Sequence, residues 1–254
     1  MNVGMMQPTF MPWLGLFELI CKSDIFILLD DFQFSVQSWD QRNRLFVNKN
    51  QVDWYTIPIQ KSESFLKPFN RAIINESVPW RSKMLKRIQQ NYSKAGYYSE
   101  IYPIVEKWLL TIKQSLAEQN ILFIKSICSC LNINCEFRNS SDYPSTNKRS
   151  IRVLELLRWC LATRYYSANG SFEYMYEDSV FPVHDIDIMF QDFRHIPYKQ
   201  VGSPNEFVPY LSVIDALMNT GPATTYELIK QGTVRWLTWE ERMVNRSQAE
   251  GVHS

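Results

Sequence analysis

The first 31 residues constrain the fold more than any other stretch of this chain. Asn2–Met6 is a short apolar run, and Pro8 and Pro12 then bracket a loop. From Trp13 to Lys22 the apolar residues Leu14, Phe17, Leu19 and Ile20 fall at helical spacing. Ile25-Phe26-Ile27-Leu28-Leu29 is an unbroken apolar run that stops in Asp30-Asp31. An unbroken run of this length is the pattern of a strand covered on both faces of a parallel sheet. Strand, loop, helix and strand in that order make a βαβ unit. Ligands of open α/β sheets lie beyond the carboxyl ends of the strands, so residues 7–13 and 30–35 are expected on one functional edge.

The rest of the chain continues the alternation. Leu45–Val47 and Asp53–Ile59 flank the polar turn Asn48-Lys49-Asn50-Gln51 and read as a hairpin. Helical spacing covers Ser82–Lys94, Ile101–Ala117 and Asn120–Leu131. Cys135–Arg138 reads as a strand, residues 139–149 as a loop, Ile151–Leu161 as a helix, and Tyr165–Ser167 and Ile186–Phe190 as strands. A helix from Leu211 to Met218 is interrupted at Gly221-Pro222 and resumes over Thr224–Gln231. The expectation is a single α/β domain over residues 1–240. It has a mostly parallel, Rossmann-like sheet, flanking helices and a helix-rich middle segment at about 79–132. A polar C-terminal tail at 241–254 is expected to fray.

Charge and composition exclude several classes. Lys and Arg total 27 against 26 Asp and Glu, a net charge of +1. That balance gives no electrostatic footprint for nucleic acid or an acidic membrane. The five cysteines contain no CxxC pair, and with only three histidines no metal-ligand set can be assembled. No apolar run approaches the ~20 residues that span a bilayer, and the N-terminus carries two prolines and no basic start. A cytoplasmic protein with reduced thiols, no metal, no nucleic acid and no membrane span is expected. Aromatic residues reach 14%, enough for aromatic core walls or for a pocket that stacks on sugar or base faces.

Three stretches carry residues suited to chemistry. Gln7-Pro8-Thr9-Phe10-Met11-Pro12-Trp13-Leu14-Gly15 leads into a helix N-terminus, where free N–H groups and the dipole favour an anion. The competing reading is a proline-rich turn that only orients the helix. Neither a GxGxxG fingerprint nor a phosphate-loop lysine motif is present. Asp30 and Asp31, with Gln33 close behind, stand at a strand end, where adjacent carboxylates can orient a hydroxyl, bind a metal or serve as a base if one pKa is raised. Arg42 and Arg44 flank Asn43, share one face of an extended stretch and can clamp a phosphate or carboxylate. The alternative is a solvated acidic turn and a salt-bridged strand. His195, followed by Tyr198 and Gln200, titrates near neutrality and is the rival acid/base. Ser212 and Asp215 have a capping spacing and read as structural. His184 and His253 lack comparable company. No GxSxG motif offers a nucleophile.

Together these stretches resemble the WbqC-like family of bacterial polysaccharide-biosynthesis proteins. The residues that carry the resemblance begin with Met6-Gln7-Pro8, Pro12, Gly15 and Phe17-Glu18-Leu19-Ile20. They continue through Ser23-Asp24-Ile25-Phe26, Asp30-Asp31, Gln33-Phe34, Trp39, Arg42-Asn43-Arg44, Trp54 and Ile57-Pro58-Ile59. Arg152, Leu154, Tyr165, Ser167, Tyr198-Lys199-Gln200, Phe207-Val208-Pro209 and Leu211-Ser212-Val213-Ile214-Asp215 complete it, so it spans about residues 3 to 222. The opening βαβ also looks like that of nucleotidyltransferase-like enzymes, whose HxGH motif binds a triphosphate. Trp13, Gly15 and Leu16 stand there instead, without either histidine. After the Tyr165 strand only Asn169-Gly170 remains of the glycine-rich turn usual in the closer family.

The resemblance implies transfer of a small acyl or aminoacyl (glycyl-like) group to a nucleotide-linked amino sugar in surface polysaccharide biosynthesis. Asp31 or His195, with Asp30, would handle the proton. The N–H groups near Trp13–Gly15 would face the oxyanion, and Arg42 and Arg44 would clamp the anion. Trp13, Phe34 and Trp39 would stack on the sugar, with Gln7, Gln33, Asn43, Tyr198 and Gln200 completing the substrate contacts. The cofactor is open, ATP or another nucleotide being the candidate. The alternative from a different class is a non-catalytic nucleotide- or carbohydrate-binding protein on the same scaffold.

Overall fold

Residues 1–64, 67–203 and 205–251 are described by a computed structural model. Its first half runs β1 (Asn2–Met6), α1 (Leu14–Cys21), β2 (Ile25–Leu28), β3 (Arg42–Asn48), β4 (Gln51–Thr56), α2 (Lys61–Ser64), α3 (Trp80–Tyr92), α4 (Tyr98–Leu110) and α5 (Leu116–Cys130). The second half runs β5 (Glu136–Asn139), α6 (Arg149–Trp159), β6 (Arg164–Ser167), α7 (Phe172–Glu177), β7 (Asp187–Phe190), α8 (Val213–Lys230) and α9 (Trp239–Gly251).

The opening βαβ unit forms as its pattern requires. β1 and β2 pair in parallel, Val3 opposite Ile25 through Met6 opposite Leu28, with α1 as the crossover. β5 adds in parallel outside β2, and β6 then β7 add on the other side of β1. The five-stranded order is therefore β5-β2-β1-β6-β7, and β3-β4 is a separate antiparallel hairpin. The strand order reverses direction at β1. Connections on either side of that point cross to opposite faces, which opens a crevice at the carboxyl ends of β1 and β6.

Both faces of the sheet are covered. Val3, Met5, Ile25 and Ile27 point to one face, against Val153, Leu156 and Leu157 of α6 and Phe172 and Met175 of α7. Phe26 and Leu28 point to the other, into a core shared with Phe17 of α1, Ile88 of α3, Trp108 of α4, Phe123 of α5 and Leu217 of α8. Strand residues alternate between the two cores even though every residue of β2 is buried. α8 carries the expected break: Gly221 has φ +77 and is followed by Pro222. A Cβ at Gly221 would overlap the Tyr97 ring as well as strain the backbone.

Two segments depart from the sequence reading. One helix was expected over Ile101–Ala117, but α4 ends at Leu110 and α5 starts at Leu116. Ser115 and Glu118 form a capping box that starts α5, and Trp108 and Gln119 exchange hydrogen bonds across the bend at 2.8 and 3.0 Å. The tail at 241–254 was expected to fray, but α9 continues to Gly251. Trp239 buries its ring against Phe172 and Phe190, Met243 one turn on packs on the same core, and Arg242 and Arg246 pair with Glu173. The remainder of that tail, residues 252–254 with His253, lies outside the described residues.

Candidate functional site

Parallel pairing brings Gln7 after β1, Asp30 and Asp31 after β2, Ser140 after β5 and Ala168 after β6 to the same end of the sheet. The loop from Gln7 to Trp13 is fixed by side chains from elsewhere. Asn43 of β3 donates to the carbonyls of Phe10 (3.1 Å) and Met11 (2.8 Å), and Asn120 of α5 donates to those of Pro8 and Asp40 (both 2.7 Å). Backbone bonds Phe10 N–H to Trp39 O (2.9 Å) and Val213 N–H to Pro12 O (2.8 Å) complete the clamp. Met11 sits at φ +43, left-handed for a residue with a side chain. Trp13 ends the loop, and its ring lies on Gly15, where any Cβ would overlap it.

Trp13, Trp39, Thr9, Asn43, Arg44 and Tyr210 enclose a cavity of about 510 Å³ at the end of β1. Arg44 is its cation. Its Nη2 donates to the Tyr210 carbonyl at 3.4 Å, its Nε is buried without a hydrogen bond, and among the described residues no carboxylate pairs with it. Arg42, two residues earlier on the same strand face, lies over the Trp54 ring at 4.2 Å, also with a buried, unbonded Nε. Trp54 in turn touches Trp39, whose ring is half exposed. The spacing that placed both arginines on one face therefore also places them beside aromatic rings.

Two further cavities continue along the edge. One, of about 440 Å³, lies at the carboxyl ends of β1 and β6 and is walled by Met6, Gln7, Phe32, Tyr165, Ser167 and Tyr174. The other, of about 580 Å³, is lined by Asp31, Gln33, Ser145, Lys148, Arg149 and Arg152. Phe32 and Arg149 border both, and Met6 borders the first of them and the Arg44 cavity.

The adjacent aspartates have different surroundings. Asp30 is buried and accepts from Ser140 Oγ (3.2 Å), Ser141 N–H (3.0 Å) and Ser141 Oγ (2.7 Å). Asp31 faces the cavity, accepts from Ser140 Oγ and pairs with Arg152 Nη2 at 3.0 Å. Arg152 is itself buried and also donates to the Ser140 carbonyl (2.8 Å). The two carboxylates and Arg152 thus tie the end of β2 to the end of β5 and the start of α6. Gln7 donates to the Gln33 carbonyl at 3.3 Å.

His195 stands one ring behind the Arg44 cavity. Its ring centroid is 5.4 Å from Trp13 and 4.5 Å from Tyr210, and its Nε2 accepts from the Tyr210 N–H at 3.3 Å. Burial among these rings pushes its pKa down to about 4, so the imidazole is neutral at pH 7. Tyr198 and Gln200 are engaged elsewhere: both donate to the buried Asp215, at 2.7 and 2.8 Å, beside Tyr92 at 2.9 Å. Burial raises the Asp215 carboxyl, which those donors partly offset. Neither residue borders the three cavities described above.

Sequence reasoning passed over two groups at this edge. Asp40 is buried, accepts from Ser38 Oγ at 2.9 Å, and burial pushes its carboxyl up to about 6. Lys148 and Arg149, at the start of α6, border the 580 Å³ cavity, although the stretch reads only as a polar loop. An apolar helix following a basic, hydroxyl-rich loop was the available signal. Among the described residues no cluster of three His, Cys, Asp or Glu is placed to hold a metal, and no helix is long and apolar enough to cross a membrane.

An uncharacterized protein of Mycobacterium tuberculosis (strain ATCC 25618 / H37Rv), Rv1507c, is 29% identical over 226 residues, covering 87% of this chain and 94% of that protein. No solved structure matches the chain. The model of the WbqC-like protein family matches residues 7–227, from the glutamine at the end of β1 through the kinked α8. With the loop, the aspartate pair and the Arg-Asn-Arg strand all inside that match, the chain belongs to the WbqC-like protein family.

Proposed function

We propose that the carboxyl edge of the sheet binds a nucleotide-linked amino sugar, and that the protein transfers a small acyl or aminoacyl group to its amine in surface-polysaccharide biosynthesis. The observation that carries this reading is Arg44, a cation without a carboxylate partner among the described residues, in a cavity walled by Trp13, Trp39 and Tyr210. Sugar rings present C–H faces that stack on aromatic side chains, and a guanidinium fork matches a carboxylate or phosphate on the same molecule. The family resemblance supports the acyl-transfer half. In that step the amine attacks the carbonyl carbon of an activated acyl donor, a C–N bond forms, and the donor's leaving group departs. The amine proton goes to a base, for which Asp31 and neutral His195, once its Nε2 releases the Tyr210 N–H, are the candidates. The first-turn N–H groups of α1 would face the oxyanion.

A second reading is a binding protein without turnover. It is favoured by the engagement of both aspartates, since Ser140, Ser141 and Arg152 already occupy their oxygens. Purified protein incubated with nucleotide-linked amino sugars and a panel of activated acyl donors, read by mass spectrometry, separates the two. Acyl transfer gives an added acyl mass on the amino sugar and none on its hydroxyl analogue. Sugar binding without any mass gain across the panel would leave the binding-protein reading, and no sugar binding would remove both.

A further inference from the structure

We infer that the cavity of about 440 Å³ at the ends of β1 and β6 is the pocket for the transferred group, and that this group is an uncharged apolar acyl chain rather than a glycyl or other aminoacyl one. The assignment to a transferred group rests on the acyl-transfer reading. The selectivity for an uncharged apolar chain is a property of the cavity and is tested without turnover.

The walls decide the chemistry. Met5, Leu29, Val153 and Tyr165 are buried around the cavity, and Met6 and Phe32 also border the cavities on either side. The polar groups of the lining are largely spent within the wall. Ser171 donates to the Ala168 carbonyl at 2.6 Å and shares a hydrogen bond with Ser167. Arg149 pairs with Asp178 at 2.9 Å and with Glu177 at 3.1 Å. Among the described residues no Asp or Glu lines this cavity. The ammonium of an aminoacyl group would therefore enter with no carboxylate to receive it and with a guanidinium on the same wall. An unpaired charge in such a site is strongly disfavoured. An aliphatic or aromatic acyl chain needs no partner and gains by leaving water. Size points the same way. A glycyl or acetyl group has the volume of only a few waters, about 30 Å³ each in the liquid, and would leave most of this apolar space unfilled.

Gln7 serves the reacting end. It follows Met6, the residue shared with the Arg44 cavity, and itself borders the apolar one. Its Nε2 donates to the Gln33 carbonyl at 3.3 Å, and among the described residues its Oε1 accepts no hydrogen bond. That oxygen is free to accept an N–H of the attacking amine, with the sugar on the Arg44 side of Met6 and the chain on the Val153 side. The amine nitrogen then bonds to the acyl carbon, the donor's leaving group departs with the electron pair of the broken bond, and the amine proton goes to the base.

Ligand-observed NMR titration of the full chain with simple carboxamides tests the pocket without a sugar or a donor. Affinity should rise about three-fold per methylene from butanamide to octanamide. Isocaproamide should bind at least ten-fold tighter than leucinamide, the same amide carrying an α-ammonium group. Val153→Phe should shorten the longest chain that still gains affinity, and Val153→Ala, which opens the wall, should lengthen it. No binding of octanamide at millimolar concentration, flat affinity across the series, or leucinamide equal to isocaproamide overturns the inference. A chain-length gain that both Val153 variants leave unchanged, with the fold intact, overturns it as well. A gain lost in Trp39→Ala instead would put the chain in the Arg44 cavity and overturn it equally. Chain-selective amide binding in a protein that acylates no sugar supports the pocket and sinks only the transfer. Acylation that prefers glycyl over hexanoyl donors sinks this inference alone.

Discussion

Asn43 holds the left-handed Met11 in place: its side-chain amide donates to the Met11 carbonyl at 2.8 Å and to the neighbouring Phe10 carbonyl at 3.1 Å. The amide is buried, and its oxygen accepts the Arg44 N–H at 2.7 Å, so one side chain connects the loop after β1 to the strand that carries Arg44. Asn43→Ala leaves buried carbonyls without a donor, which costs about 2–3 kcal/mol. Urea unfolding should show the unfolding free energy lowered by that amount, read as a lower midpoint at unchanged slope. Asn43→Asp should be worse, because an ionised carboxylate has no N–H to offer and faces the same two oxygens. An Asn43→Ala protein with the wild-type midpoint would mean the loop stands without this bond.

Asp40 gives the stability a pH dependence of unusual sign. Burial raises its carboxyl from 3.8 to about 6 in the folded chain. Between those values the folded state holds a proton that the unfolded state has released, so stability falls as pH rises through the window. Above pH 6 the charged form costs about 3 kcal/mol relative to an unperturbed carboxyl. Asp40→Asn keeps an acceptor for Ser38 and removes the charge. It should melt higher than wild type at pH 7.5, with the difference gone by pH 4. Equal melting differences at both pH values would assign the effect to packing.

Much of this edge was legible because its signals are local. The Ile25–Leu29 run and the aspartates after it specified a buried strand and its carboxyl end, and strand pairing then placed Gln7 and Asp31 together. Alternation along Arg42-Asn43-Arg44 separated one inward amide from two guanidinium groups. What could not be read depends on partners distant in sequence. Nothing near Asp31 announces Arg152, 121 residues on, and nothing near Asp30 announces Ser141. The aspartates look like a free pair in the sequence and are a strut in the fold. Tyr198 and Gln200 look like site residues beside His195, but Asp215 draws both hydroxyl and amide inward. The polar tail misleads for a similar reason, since two apolar residues one turn apart, Trp239 and Met243, are enough to dock α9.

The two arginines should differ in their effect on ligand. Arg44 borders the aromatic cavity and lacks a carboxylate partner among the described residues, whereas Arg42 is laid on Trp54. Arg44→Ala should weaken an amino-sugar ligand carrying an anionic group by ten-fold or more. Arg44→Lys should recover little, because a point charge replaces a planar fork. Arg42→Ala should change affinity by less than three-fold while loosening Trp54. Calorimetry on the three variants, with circular dichroism confirming the fold, decides the matter. Equal losses from Arg42→Ala and Arg44→Ala would make the pair a joint clamp.

The identity of the base can be decided by pH as well as by substitution. His195 is neutral because burial among Trp13, Phe193 and Tyr210 pushes its pKa down to about 4. Its depressed pKa also stabilises the fold above pH 6.5, and that contribution is lost as pH falls through 4. If His195 accepts the amine proton, kcat/KM for sugar acylation should stay level from pH 7 down to about 5 in respect of this group and fall only near 4. An unburied histidine would place the limb near 6.5. His195→Gln should then remove turnover and keep sugar affinity. Asp31→Asn should chiefly lower stability, because it breaks the pairing with buried Arg152. Turnover abolished by Asp31→Asn in a protein that still melts near wild type would transfer the role to Asp31. A limb near pH 6 that disappears in Asp40→Asn would instead point to the buried carboxyl behind Trp39, and the His195 assignment would fail.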